Sequence, residues 1–217
     1  MSRLVNVLVE GAASLGYNLT KVQTEQFELF AAELHKWNSK INLTTIASED
    51  DVAMKHFVDS IVPIKYLIGC RTLLDIGSGG GFPSIPLRIC SEIHEIFSVD
   101  AVEKKINFQR HVVRKLQLPG FKALHIRGED LVKEYADYFD VVISRAFAEL
   151  PKFVRLAKPL LRGGGSVIAM KGKHGREEAE AAAAELAELG MKIEYIEEYT
   201  LPIAGDCRTL IIIRSDS

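Results

Sequence analysis

Residues 72–189 alternate five times between a short apolar segment and a helical pattern, and this alternation limits the possible folds more than any other feature. Strands joined by helices form a parallel sheet with helices on both faces, because each right-handed crossover returns the chain to the same end of the sheet. The predicted strands are 72–76, 94–99, 122–126, 139–144 and 166–170. The first predicted helix begins near Pro83, and the other four cover 102–117, 129–135, 150–160 and 176–189.

The last part of the chain departs from this alternation. Two further apolar segments, 192–200 and 209–214, have no helix between them. Strands with such a short connection pair antiparallel, so we expect a hairpin at one edge of the sheet. The sequence therefore predicts an α/β fold with a seven-stranded, mostly parallel sheet and an antiparallel C-terminal hairpin.

The first seventy residues are helical in pattern and precede every strand. Helices are predicted over 2–15, 21–39 and 49–66, the last with Ser48 as N-cap and with Pro63 ending or kinking it. An apolar stripe at spacings of three and four marks the buried face of the second helix. We expect residues 1–70 to form a helical extension that packs as one unit on a domain of residues 71–217.

Composition narrows the class of protein. No run approaches the ~20 apolar residues that a membrane span needs, and no signal-peptide pattern is present. The three cysteines (Cys70, Cys90 and Cys207) are far apart and odd in number, which favours a reducing cytoplasm over a disulfide framework. We therefore expect a cytoplasmic protein with no membrane contact.

Charge is unevenly distributed although the net charge is only −2. Residues 101–128 and 151–176 are basic, and residues 177–198 carry eight glutamates against one lysine. The basic blocks either form a face that binds a polyanion or belong to helix faces whose charges intermix in space. The sequence leaves both interpretations open.

A glycine-rich loop follows the first predicted strand. It reads Asp75-Ile76-Gly77-Ser78-Gly79-Gly80-Gly81-Phe82-Pro83. Open α/β sheets bind ligands at this end of the strands, where glycines let the backbone approach the ligand closely. Phe82 replaces the last glycine of a dinucleotide-binding loop, and the Asp75 carboxylate would repel a pyrophosphate. The loop instead favours a ligand with a cationic amine and a sulfonium, which is S-adenosylmethionine.

Polar residues at neighbouring strand ends extend this predicted pocket. Asp100 ends the second strand, where a carboxylate accepts hydrogen bonds from both ribose hydroxyls of a nucleoside. Gly128 and Glu129 follow the third strand, where they either read an adenine edge or, for Glu129, serve as capping charge for a helix. Arg145 follows the fourth strand, where it can fix a phosphate or the cofactor, or stack on a base.

With these residues the sequence resembles the bacterial small-subunit ribosomal RNA guanine-N7 methyltransferases, also called glucose-inhibited division protein B. The resemblance spans nearly the whole chain. It rests on Trp37-Asn38, Asn42-Leu43-Thr44, His56, Asp59-Ser60, the loop from Asp75 to Pro83, Asp100, Lys104-Lys105, Arg127, Glu129, Ser144-Arg145-Ala146-Phe147 and Lys171-Gly172. Gly80, where the family often has proline, and Phe82, where leucine is common, are mild departures.

The resemblance implies the Rossmann-like S-adenosylmethionine-dependent methyltransferase fold. It also implies methyl transfer to N7 of one guanine in the decoding-region loop (helix 18) of 16S ribosomal RNA, with naked RNA, the 30S subunit or an assembly intermediate as substrate. No obligate protein partner is expected. The implied cofactor contacts are Gly77, Phe82, Gly128, Glu129 and Arg145, to which the loop and strand-end arguments add Asp75, Ser78, Gly79 and Asp100.

Guanine N7 has a free lone pair and no proton, so the reaction needs no general base. We expect residues that shape the target pocket rather than a catalytic nucleophile, and no metal. The candidates are Asn42, His56, Asp59, Arg145 and Lys171. His56 and Asp59 lie three apart on one helix face, where a structural hydrogen bond is an equally good interpretation.

Three other functions remain open from the sequence. A methyltransferase for a small molecule or a protein would keep the cofactor pocket without RNA. A non-catalytic RNA- or ribosome-binding module would keep only the fold, although the intact loop and Asp100 argue against it. A nicotinamide oxidoreductase is disfavoured by Phe82.

Overall fold

A computed structural model of the chain describes residues 2–46, 48–145, 147 and 149–215. In the described part, seven strands form a single sheet in the order β3-β2-β1-β4-β5-β7-β6. They are β1 (Thr72–Ile76), β2 (Glu95–Asp100), β3 (Phe121–His125), β4 (Phe139–Arg145), β5 (Leu161–Lys171), β6 (Met191–Thr200) and β7 (Cys207–Ser215). The predicted fold class is confirmed.

Strand direction follows from the connections. The first five strands pair parallel, since each pair is joined through helical segments. β7 lies between β5 and β6 and pairs antiparallel with both. The predicted C-terminal hairpin is therefore present. Its second strand, rather than its first, joins the parallel sheet.

β5 begins at Leu161, five residues earlier than predicted. Glycines are rare in strands, so the run 163–165 gives no strand signal in the sequence. The structure accommodates this run with a register shift, because Leu161 pairs with Phe139 whereas Ser166 pairs with Val141. Other strand and helix ends lie close to their predicted positions.

Helices cover both faces of the sheet. The α-helices are α1 (Arg3–Ser14), α2 (Lys21–Ile41), α3 (Glu49–Asp51), α4 (Asp59–Ile61), α5 (Ser84–Cys90), α6 (Glu103–Lys115), α7 (Val132–Tyr135), α8 (Leu150–Ala157) and α9 (Gly175–Glu188). Short 3₁₀-helices cover Val62–Tyr66, Gly128–Asp130 and Lys158–Leu160.

The helix predicted over residues 49–66 is interrupted. Its central part, Val52–Val58, is a seven-residue π-helix between α3 and α4, and a 3₁₀-helix follows from Val62, next to Pro63. π-Helical turns occur frequently at functional sites. Apolar periodicity does not reveal such a turn, because the hydrogen-bonding register depends on contacts with the rest of the protein.

An aromatic cluster joins the helical segments to the sheet. Phe30 of α2 stacks on Phe82 of the glycine loop with ring centroids 5.3 Å apart, and it also lies 5.3 Å from Phe57. Trp37 packs against Phe108 of α6 at 5.6 Å. The first helices therefore support the glycine loop directly. The division of the chain at residue 70 stays a prediction.

A buried carboxylate adds a polar contact to this cluster. Glu33 of α2 is 4% exposed and lies 2.8 Å from His111 of α6. It also forms an ion pair with Lys115, and this hydrogen bond is the main reason that the pKa of Glu33 is lowered. One member of the first basic block is therefore engaged in packing.

Three of the seven Lys and Arg side chains of the second basic block form ion pairs with the acidic block. Arg155 pairs with Glu185, Lys171 with Glu178, and Arg176 with Glu198, all within 2.7 Å. Intermixed charge is therefore the correct interpretation there. In the first block, Lys104, Arg114 and Arg127 are exposed.

Within the described ranges, no helix is long and apolar enough to span a bilayer. The same residues contain no group of three or more His, Cys, Asp and Glu side chains arranged to hold a metal ion. The expectation that no metal is needed stays a prediction.

Candidate active site

The glycine loop lies at the C-terminal ends of β1 and β2, as predicted. Gly77 and Gly79 have φ values of +74° and +58°, the left-handed region that favours glycine. A Cβ atom added to either residue would meet no described atom within 4 Å. Protein packing therefore leaves open space above this part of the loop, as a cofactor held against the backbone requires.

Two cavities meet at Gly77. One, of about 400 Å³, is lined by Ile76, Gly77, Val99, Asp100, Ala101, Ile126, Arg127, Gly128, Glu129, Phe147 and Leu156. The other, of about 730 Å³, is lined by residues 42–46, His56, residues 77–80, Phe82 and Arg145. The first has the residue types expected for a nucleoside, and the second contains most of the predicted target-pocket residues.

Asp100 is oriented by two backbone amides. Its Oδ2 accepts from the Gly79 N–H at 2.9 Å, and its Oδ1 accepts from the Val102 N–H at 2.8 Å. Each carboxylate oxygen keeps a second lone pair for another donor. The Asp100 carboxylate therefore fits the ribose of S-adenosylmethionine, whose hydroxyls would donate to it.

Gly128 is a glycine for a steric reason. A Cβ atom here would lie 2.7 Å from Leu156 Cδ2 and 3.4 Å from Ile76 Cγ2, and both of these side chains line the first cavity. Glu129, beside it, is exposed at the rim. This arrangement is compatible with an adenine held between apolar walls, which stays a prediction.

Asp75 is completely buried beneath the loop. Its Oδ2 accepts from the N–H of Ser84, the first residue of α5, at 3.2 Å, and its Oδ1 has no hydrogen-bond partner among the described residues. Burial raises the pKa of Asp75 to about 7. The carboxylate thus ties β1 to the start of α5, and its predicted contact with the cofactor amine is untested.

Ser78 directs its hydroxyl toward the protein. The Oγ–H donates to the Val99 carbonyl at 3.2 Å, and Oγ accepts from the Gln109 amide at 2.8 Å. Gln109, on α6, is fully buried. An isolated glutamine in an amphipathic helix gives no sequence signal of a functional role, so Gln109 was not among the predicted site residues.

Phe82 forms a wall of the second cavity. It is 4% exposed and stacks on His56 with centroids 4.3 Å apart and an interplanar angle of 10°. The Arg145 guanidinium carbon lies 5.1 Å from the Phe82 ring centroid, within the range of a cation–π contact. The departure from leucine at this position therefore adds a ring that holds both polar residues.

Arg145, at the end of β4, brings the predicted pocket residues together. Its Nη1 donates to the Lys55 carbonyl in the π-helix at 2.9 Å, and its Nη2 lies 3.2 Å from His56 Nδ1. Asp59 Oδ2 is 3.7 Å from Nη1. The π-helix and β4 thus meet through one guanidinium.

His56 is neutral and has a defined tautomer. Arginine has no acceptor, so His56 Nδ1 must accept from Arg145, and the proton is on Nε2. Nε2 then donates to Thr44 Oγ1 at 2.8 Å. Burial, followed by the charge of Arg145, lowers the pKa of His56 to about 3.

We predict that His56 does not titrate between pH 5 and pH 8. Nitrogen-15 chemical shifts of the ring should keep the Nε2–H pattern across this range, because protonation would place a hydrogen on the nitrogen that faces Arg145. A His56 titration near pH 6.5 would contradict the assigned geometry.

Asp59 is 3% exposed and lies where three chain segments meet. It accepts from the Tyr199 hydroxyl at 2.8 Å, and Arg208 lies 3.8 Å away. Burial raises the pKa of Asp59, and Arg145, Tyr199 and Arg208 oppose this shift. No sequence pattern points to Tyr199 and Arg208, which lie near the end of β6 and the start of β7.

Asn42 ends α2 in the left-handed conformation, with φ +50° and ψ +63°. The next turn is fixed by Asn38, whose Oδ1 accepts from the Thr44 N–H at 2.8 Å and whose Nδ2 donates to the Thr44 carbonyl at 2.9 Å. Residues 42–46 thus form a shaped wall of the second cavity. Asn38 was noted only as part of the family motif.

Lys171 is buried and braces the segment after β4. Its ammonium donates to the Phe147 carbonyl at 2.8 Å and to Glu178 Oε1 at 2.7 Å. It lines a third cavity of about 300 Å³ together with His56, Asp59 and Arg145. Ala146, in the predicted motif, lies outside the described residues.

A family model described as rRNA small subunit methyltransferase G matches residues 23–206. The chain belongs to this family. Proteins named ribosomal RNA small subunit methyltransferase G are similar to it over nearly their whole length. That of Geobacter metallireducens is 52% identical, with 96% of this chain and 94% of the relative covered. That of Halalkalibacterium halodurans is 38% identical, with 93% and 86% covered.

Solved structures agree on the fold of this chain. A SAM-dependent methyltransferase from Aquifex aeolicus has a TM-score of 0.56 at 18% identity, covering 72% of this chain and 91% of its own. A ribosomal protein L11 methylase from Lactobacillus delbrueckii subsp. bulgaricus has a TM-score of 0.57 at 13% identity, covering 79% and 81%. The predicted family, the methyltransferase fold, methylation of ribosomal RNA and S-adenosylmethionine as cofactor are confirmed.

Proposed function

We propose that the protein transfers a methyl group from S-adenosylmethionine to N7 of one guanine in the helix 18 loop of 16S ribosomal RNA. The substrate is the 30S subunit or an assembly intermediate, and the reaction takes place in the cytoplasm. The observation that carries the proposal is the second cavity. It is lined by residues 77–80 of the glycine loop, by residues 42–46, and by Phe82 with His56 and Arg145 packed against its ring.

The cofactor has a matching set of residues. Gly77 and Gly79 leave space for it along the loop, Asp100 would accept from its ribose hydroxyls, and Gly128 would lie against its adenine. S-Adenosylmethionine supplies an electrophilic methyl group on a positively charged sulfur. The two cavities share Gly77, so the cofactor and the target base would meet at this residue.

The side chains around the second cavity are committed to holding one another. His56 uses Nε2–H for Thr44 and Nδ1 for Arg145, so neither ring nitrogen is available to take a proton. This arrangement suits an acceptor that needs no general base. Guanine N7 is such an acceptor, because its lone pair attacks the methyl carbon directly as the carbon–sulfur bond breaks.

Catalysis then consists of alignment and exclusion of water. Arg145, His56 and Phe82 form a rigid wall of planar groups, against which an unstacked base can be held. Alignment of two reactants in a bound complex can lower the activation barrier by ~7–11 kcal/mol. The exposed Lys104, Arg114 and Arg127 are available for the RNA backbone, which would make binding depend on salt.

The test is methyl transfer from tritiated S-adenosylmethionine to 30S subunits from cells that lack their own version of this enzyme. We expect label in one guanine of 16S RNA, with borohydride-induced cleavage that marks N7 methylation. Naked 16S RNA, assayed in parallel, distinguishes the free transcript from the subunit as substrate. Cofactor binding without label in either substrate would refute the ribosomal RNA assignment and would favour a small molecule or a protein as acceptor.

A further inference from the structure

A chain of buried hydrogen bonds runs beneath the glycine loop. Ser84 Oγ donates to Ser98 Oγ at 3.0 Å, and Ser98 Oγ donates to Gln109 Oε1 at 2.6 Å. Gln109 Nε2 donates to Ser78 Oγ and to the Gly79 carbonyl, both at 2.8 Å. All of these side chains are buried, so the chain has a fixed direction from α5 through β2 and α6 to the loop.

Gly79 is therefore held on both sides. Its N–H donates to Asp100 Oδ2 at 2.9 Å, and its carbonyl accepts from Gln109. These two bonds fix the peptide planes before and after a residue with φ +58°. Because glycine has no side chain to limit its φ and ψ angles, the loop depends on such external contacts for a single conformation.

We infer that Gln109 is a positioning residue for the cofactor: through the Gly79 carbonyl it holds the glycine loop, and with it the Asp100 carboxylate, in the conformation that binds S-adenosylmethionine. Gln109 belongs to α6 and lines neither cavity that meets at Gly77. It acts through Gly79 and does not touch the ligand.

Two neighbouring members of this chain of hydrogen bonds, Gln109 and Ser98, allow a matched comparison. Gln109→Met keeps the length of the side chain and removes both donors, which leaves the Gly79 carbonyl without this bond. Gln109→Glu keeps the acceptor for Ser98 but places a carboxylate against two acceptors. Ser98→Ala is the control, because it removes the bond to Gln109 Oε1 while Gln109 Nε2 can still donate to Gly79.

The full-length variants are compared by calorimetric titration with S-adenosylmethionine and S-adenosylhomocysteine, by thermal melting, and by amide hydrogen exchange of the loop without ligand. We expect Kd to rise about tenfold in both Gln109 variants, the equivalent of one buried hydrogen bond, and less than about twofold in Ser98→Ala. Exchange at Gly79 and Gly80 should accelerate only in the Gln109 variants. In methylation assays the KM for S-adenosylmethionine should rise while kcat changes little.

A purely structural role would lower the melting temperature in all three variants and leave Kd unchanged, and this result would overturn the inference. If Gln109→Met does not fold, Gln109→Glu, which has nearly the same shape, decides the question. The inference rests on the cofactor binding at this loop. Failure of the unaltered protein to bind S-adenosylmethionine would refute that site, whereas normal binding in every variant would refute only the role of Gln109.

Discussion

Replacing Arg145 with alanine is expected to lower the rate of methyl transfer at least about a hundredfold, the loss that misplacement of reacting groups by about 1 Å causes. The guanidinium joins the Lys55 carbonyl, His56 Nδ1 and the Asp59 carboxylate, so its loss releases the π-helix from β4. The variant is also expected to be about 3 kcal/mol less stable at pH 7, because Asp59 stays buried with one cation fewer.

Arg145→Lys is the matched control. It retains the positive charge, but a single ammonium nitrogen replaces the planar fork whose Nη1 donates to the Lys55 carbonyl and whose Nη2 donates to His56. We expect most of the stability to return and most of the activity to remain lost. Initial rates on 30S subunits and urea denaturation measure the two effects. Methyl transfer and cofactor binding at unaltered levels in Arg145→Ala would refute the assigned site.

The second large effect concerns Asp75 and the dependence of stability on pH. Its pKa is about 7 in the folded protein and 3.8 when unperturbed. Between these values the folded protein holds a proton that the unfolded chain has released, so the free energy of unfolding falls as pH rises. The loss should approach about 4 kcal/mol by pH 8 and then stop, because both states are ionised above the folded pKa.

Asp75→Asn has nearly the same shape and does not titrate, so it isolates this contribution. The free energy of unfolding of the unaltered protein, minus that of Asp75→Asn, should fall from pH 4 to pH 8. His56 contributes in the opposite sense, since its lowered pKa destabilises the fold as pH falls below 6.5, but it is present in both proteins and cancels. Arg145 and Asp100, the charged groups that influence Asp75, are likewise common to both. A difference that is independent of pH would show that Asp75 is ionised throughout.

Sequence patterns sufficed for the sheet and for the position of the cofactor loop. The apolar strands and the helices between them dictate parallel pairing, and the absence of a helix after residue 200 dictates the hairpin. The positions of Gly77, Gly79 and Asp100 at or just after strand ends were predictable, whereas their contacts with the cofactor stay predictions. These features follow from local pattern and topology alone.

Contacts between distant side chains were not predictable in this way. The neutral state of His56 depends on burial against Phe82 and Arg145, which are distant from it in sequence. Gln109 belongs to a helix whose pattern says only which face is buried. Lys171 was expected at the target base, and the structure shows that its ammonium is already bound to a carbonyl and a glutamate.

The antiparallel insertion of β7 has a consequence for the order in which the protein is made. Thr209, next to Arg208, pairs with Lys171 at the site end of β5, and Tyr199 reaches Asp59 across 140 residues of sequence. Asp59 therefore emerges from the ribosome long before the tyrosine and the arginine that surround it. Closing so long a loop is slow, which makes completion of this pocket a late step in folding. A nascent chain that ends before Tyr199 contains all of β1 to β5. In such a chain the Asp59 carboxylate would still lack Tyr199 and Arg208.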